Sequence, residues 1–141
     1  MKKIIAATLF ASVFASAAAN AATTTIALAD GYNAIGDVAT DINLARQYTF
    51  TAIASRAGFI KNSFDGTLSA NVVAALTDDA TNNRMGVVAG SNKGYTVFTG
   101  SSVGGSVSQC GDPVTKDTAN LATTLVVEGT LVLDNANGCG R

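Results

Sequence analysis

The sequence predicts a mainly β fold (α+β), an antiparallel β-meander with one short N-terminal helix and a C-terminal disulfide-closed loop. Three observations lead there. Short β-branched and apolar runs recur between turn residues from Thr67 onward. Helical spacing of apolar residues is confined to a stretch after Asn33. The two cysteines, Cys110 and Cys139, both fall late in the chain.

The chain opens Met1-Lys2-Lys3 and then runs from Ile4 to Ala19 without a charge. Ala19-Asn20-Ala21 has the small-x-small form that a signal peptidase accepts. We therefore expect residues 1–21 to be a cleaved signal peptide, cut between Ala21 and Ala22. An apolar run of about 16 residues is shorter than the roughly 20 that span a bilayer, so no permanent membrane span is expected. No cysteine follows the cleavage region, which argues against a lipoprotein. The Lys-Lys start and Ala-x-Ala end have a bacterial form. The expected location is the periplasm, the cell surface or the surrounding medium.

Residues 22–141 then form the second expected unit, one extracytoplasmic β-rich domain of about 120 residues, enough for a modest core. Removing Lys2 and Lys3 leaves seven basic against ten acidic residues, a net charge of −3. No basic patch is present to neutralise phosphates, so nucleic acid is not an expected partner. Sparse charge suits a surface built from Thr, Ser, Asn and Gly, and also suits subunits that pack on one another.

Thr23 to Ala29 alternates Thr with apolar residues and reads as a strand ended by Asp30-Gly31. Residues 33–56 mix two signals. Helical spacing favours a helix over Asp37–Arg46, whereas Tyr48-Thr49-Phe50-Thr51 prefers a strand. Helix against strand stays open for the rest of 35–60. Asp65-Gly66 reads as a turn pair. Thr67 to Thr77 is β-prone, and Asp78-Asp79-Ala80-Thr81-Asn82-Asn83 reads as a turn-rich loop. Arg84 to Ala89 and Tyr95 to Gly100 are expected strands of a hairpin joined by Gly90-Ser91-Asn92-Lys93-Gly94. Ser101 to Ser106 reads as a flexible Gly/Ser connection. The clearest strand pattern comes last. Leu125, Val127, Leu131 and Leu133 share one face, with Gly129 as a bulge or a turn between two short strands.

In an oxidising compartment Cys110 and Cys139 are expected to pair. With no histidine in the chain they cannot make an ordinary zinc site, and their spacing is not Cys-x-x-Cys. The missing histidine also removes the commonest general base. No Ser-x-x-Lys occurs, and the sole glutamate, Glu128, sits in the expected last strand. Asp78, Asp79, Asn82 and Asn83 carry oxygen ligands but do not match an EF-hand loop. No catalytic, cofactor or metal residues are assigned, and no enzyme activity is expected. Tyr48, Phe50, Tyr95 and Phe98 are expected in core or interface packing.

Gly105-Ser106-Val107-Ser108-Gln109-Cys110-Gly111-Asp112-Pro113-Val114-Thr115, with the closing Gly138-Cys139-Gly140-Arg141, resembles the head domain of type IV pilins. The resemblance covers about residues 71–141 and implies a β-meander followed by a disulfide-stapled loop. The long apolar helix that anchors those pilins, with its early glutamate, is absent. Chaperone–usher pilins share ordinary signal peptides, but their early cysteine pair and aromatic last strand are missing here. The resemblance implies an exported bacterial structural or adhesive subunit, pilin- or fimbrial-like, acting by self-assembly or surface attachment. Its partners would be other copies, as a homo-oligomer or filament, or a host or surface ligand. Thr23–Ala29 added to a neighbour's sheet edge is one route to assembly. The alternative is a soluble periplasmic or secreted module binding a small ligand, glycan or protein, with Ser101–Ser106 and the disulfide loop as its recognition surface.

Overall fold

The computed structural model describes residues 23–36, 42–115 and 124–141. Those residues form two sheets. One has three strands in the order β1 (Thr24–Ala27), β3 (Arg46–Thr51), β4 (Phe64–Leu68). The other has five, in the order β2 (Gly31–Ile35), β5 (Val72–Asp79), β6 (Arg84–Ser91), β7 (Val97–Ser101), β8 (Ser108–Gln109). The run β5 to β8 is the expected antiparallel meander, each strand pairing with the next. The pairing of β1 with β3 is parallel.

The chain changes sheets within three residues of the end of β1. Asn33 makes the corner. Its side-chain oxygen accepts the Ala29 N–H at 2.8 Å, and its amide donates to the Ala29 and Gly31 carbonyls. Gly31 turns with φ +92°, a conformation natural only to glycine, and leads directly into β2. Asp30-Gly31 therefore ends one strand and starts another.

Three expectations on the chain path need correction. The helix over Asp37–Arg46 falls partly on residues 37–41, outside the described residues. Of the remainder, Ile42 to Leu44 are turn and bend, and Arg46 already belongs to β3. The buried Arg46 guanidinium donates to the Val72 carbonyl, tying β3 to the start of β5. Asp65-Gly66 is no turn but the middle of β4, where Thr49 of β3 donates its hydroxyl to the Asp65 carboxylate at 2.7 Å. A Cβ at Gly66 would press on the Phe50 ring, so this glycine serves close packing between β3 and β4. The expected final strand is not one. Thr124 and Leu125 are helical, Val126 to Thr130 bend and turn, and Leu131 makes only an isolated bridge to Cys139. Gly129, at φ +91°, is the turn rather than a bulge.

Two apolar clusters lie on opposite faces of the five-stranded sheet. Tyr48 and Phe50 of β3 and Leu28 pack on Ile35, Ala74 and Leu76, which closes a two-sheet sandwich. On the other face Ala75, Val88 and Val97 meet Leu125, Leu131, Leu133 and Cys110. The C-terminal segment thus acts as a lid. Cys110 and Cys139 are bonded, with 5.3 Å between their Cα atoms, as expected. Main-chain bonds from Gly140 N–H to Thr130 O and from Val132 N–H to Gly138 O stitch the lid to itself. The Tyr32 hydroxyl donates to Val126 O at 3.1 Å, anchoring the lid to β2. Burial and the nearby Glu128 charge raise the Tyr32 pKa.

Candidate functional site

Alternation along a strand sends neighbouring residues to opposite faces. On β6, Val88 is fully buried under the lid, while Met85, Val87 and Ala89 point toward the three-stranded sheet. On β7, Val97 and Thr99 are fully buried and Phe98 is 48 % exposed. The reason is width. Three strands face five, and the cluster they share reaches Met85, Val87 and Ala89 of β6 but, among the described residues, none of β7.

Two hollows result. One, of about 390 Å³, lies among Phe59, Met85, Val87, Ala89, Phe98 and Val107. The other, of about 270 Å³, runs beneath β4 among Phe50, Phe64, Leu68, Leu76, Met85 and Val87. Met85 and Val87 line both, so the two make one trough. Among the described residues no charged side chain lines it. Phe64, Phe98 and Val107 are 42, 48 and 76 % exposed.

Asp78 positions one end of the trough. It is fully buried, and its two oxygens accept the Phe59 and Ile60 N–H groups at 2.6 and 3.3 Å. A Cβ at Gly58 would collide with that carboxylate, so only glycine fits there. The turn before it holds Ser55 and Arg56 at φ of 60° and 56°. Asp78 thus holds exposed Phe59 against the floor.

Asp78 and Asp79 do not converge on a cation. Asp78 ends buried in β5, and Asp79 faces the other way. Asp79 accepts bonds from the Asn82 side chain and main chain and from Arg84, which lower its pKa to about 2. Arg84 bridges to Asp134 at 2.5 Å as well. Among the described residues no group of three His, Cys, Asp or Glu side chains is placed to hold a metal. Glu128 is exposed in the lid turn. The Ser101–Ser106 stretch is held rather than loose, since Gly104 O accepts the Asn137 N–H at 3.0 Å and Asn137 packs on Gly105. Tyr48 and Phe50 are core residues, whereas Tyr95 and Phe98 are largely exposed. Ala21 and Ala22 lie outside the described residues. Among those described, no helix is long and apolar enough to cross a membrane.

The trough was not legible in the sequence. Phe98 stands far from Phe59 and Phe64 in the chain, and the pairing of β3 with β4 and of β6 with β7 brings them to one side. The surviving signal is the absence of charge in Met85 to Ala89 and Val97 to Gly100, whose apolar residues fall on both strand faces. No family model matches the chain, and no match is found among curated proteins or solved structures.

Proposed function

We infer that this chain is an exported bacterial structural or adhesive subunit, pilin- or fimbrial-like in its head, acting by self-assembly or surface attachment. The observation that carries this reading is the uncharged apolar trough beside β4. Monomeric domains rarely leave such a patch open unless another molecule covers it. The disulfide suits an oxidising compartment, and the export signal read from residues 1–21 supplies the route there.

The test is electron microscopy of purified residues 22–141 and of the producing cells. Filaments or ordered clusters are expected. A protein that stays monomeric at high concentration and leaves cells bare would sink the reading. A soluble binding module is the second reading, because the larger hollow falls in the size range of small-molecule clefts. A saturable thermal shift with a small ligand, without assembly, would favour it.

A further inference from the structure

We propose that the trough is a slot for one extended strand of a separate polypeptide, uncharged and apolar at alternate residues, which pairs with the free edge of β4. The inference rests on the reading of this face as an interaction surface and specifies what the surface takes.

Four observations converge. First, among the described residues β4 is bonded only to β3, and it borders the trough. Natural edge strands are commonly blunted by lysine, proline or a bulge, and Phe64-Asp65-Gly66-Thr67-Leu68 has none of these. Its one charge, Asp65, is engaged by Thr49 on the outer face of the sheet.

Second, the missing width sets the size of the guest. Five strands against three leave about two strand spacings uncovered, roughly 10 Å. Third, the floor excludes a bulky partner. The layer of β6, β7 and β8 continues beneath the slot, so a second copy entering edge-on would drive its own five-stranded sheet into that layer. A single extended segment brings no second layer and fits. Fourth, the floor of Met85, Val87, Phe98 and Val107 carries no charge. A lysine or glutamate there would lose its hydration without a partner. A strand with alternate apolar residues directs them all to one face, and main-chain bonds to β4 supply the rest of the affinity.

The experiment uses disulfide-bonded residues 22–141, isotopically labelled, titrated with the capped heptapeptide Thr-Val-Thr-Val-Thr-Val-Thr. A Thr-Lys-Thr-Lys-Thr-Lys-Thr peptide is the control. The valine peptide is expected to shift the Met85 and Val87 methyl signals. It should also slow hydrogen exchange at the Phe64–Leu68 amides by about tenfold or more. Phe98→Asp, at an exposed position, should abolish both effects and leave the unfolding midpoint unchanged. The proposal is overturned by a valine peptide that does nothing at millimolar concentration, by equal binding of the lysine peptide, or by protection at β2 or β8 in place of β4. Self-association of the unliganded protein through the same methyl groups would assign the slot to a second copy. That would overturn the single-strand occupant and leave the assembly reading standing. Assembly through other surfaces, with a silent slot, would do the same.

Discussion

The two faces of β6 and β7 are made by alternate residues of the same strands, yet they are covered in opposite ways. Under the lid, Val88, Val97 and Thr99 are fully buried by a segment with almost no regular structure. On the sandwich side, a well-formed sheet stops short and leaves Phe98 and Val107 in solvent. Regularity of the cover and completeness of the cover are therefore separate matters. An irregular segment can seal a sheet face when a covalent bond fixes its end. A regular sheet cannot reach past its last strand.

The largest expected effect contrasts neighbours across that divide. Val97→Asp places a carboxylate at a fully buried position and should cost about 3–5 kcal/mol, as for an uncompensated buried charge. Urea unfolding monitored by circular dichroism checks this, and a folded, stable variant would show the lid face to be less sealed than its burial implies. Next comes the covalent bond. Cys110→Ser with Cys139→Ser opens a loop of sequence separation 29 and should remove about 3–4 kcal/mol. Hydrogen exchange should then rise at Val88 and Val97 while Tyr48 and Phe50 keep their protection. A uniform rise would mean that the two faces do not open separately.

On the sandwich side, Asp78→Ala leaves two buried N–H groups without their acceptor and should cost about 1–3 kcal/mol. The Phe59 and Ile60 amides should report it first. Phe98→Asp, one residue from the first substitution, should change stability by less than about 0.5 kcal/mol. The valine heptapeptide should nonetheless no longer shift the Met85 and Val87 methyl signals. The smallest effect is electrostatic and exposed. Asp79 is lowered from its ordinary 3.8 to about 2, first by Asn82 and then by Arg84. A carboxyl held down in the folded state adds stability above 3.8 that is lost as pH falls through about 2. The thermal midpoints of the parent protein and Asp79→Asn should therefore converge over that range.

The sequence was most readable where local signals and pairing agreed. The β6–β7 hairpin and the cysteine pair appear as expected, and the strand preference of Tyr48–Thr51, which the sequence leaves open against helix, is realised in β3. It misled where tertiary pairing overrode a local signal. Asp65-Gly66 has turn chemistry, yet the Thr49 hydroxyl and the Phe50 ring make it a fitting strand centre against β3. The alternation at Leu125, Leu131 and Leu133 correctly marked buried side chains, since all three are core residues. It misnamed their backbone, because a chain tied at Cys139 and turned at Gly129 delivers leucines to a core without forming a ladder. Val127, expected on the same face, is 37 % exposed for that reason. Asp78 and Asp79 were read as loop acids, when the strand runs through both and sends one inward. The trough itself depends on a difference in sheet width, which no local window of sequence contains.

The lid also orders events in time. Strands β5, β6 and β7 are complete by Ser101, but the bond that seals their buried face needs Cys139. A growing chain must therefore hold Val88 and Val97 without their final cover until Cys139 has been added. During that interval the lid face of β6 and β7 is open. The oxidation of one pair of thiols, not the completion of a strand, is what closes it.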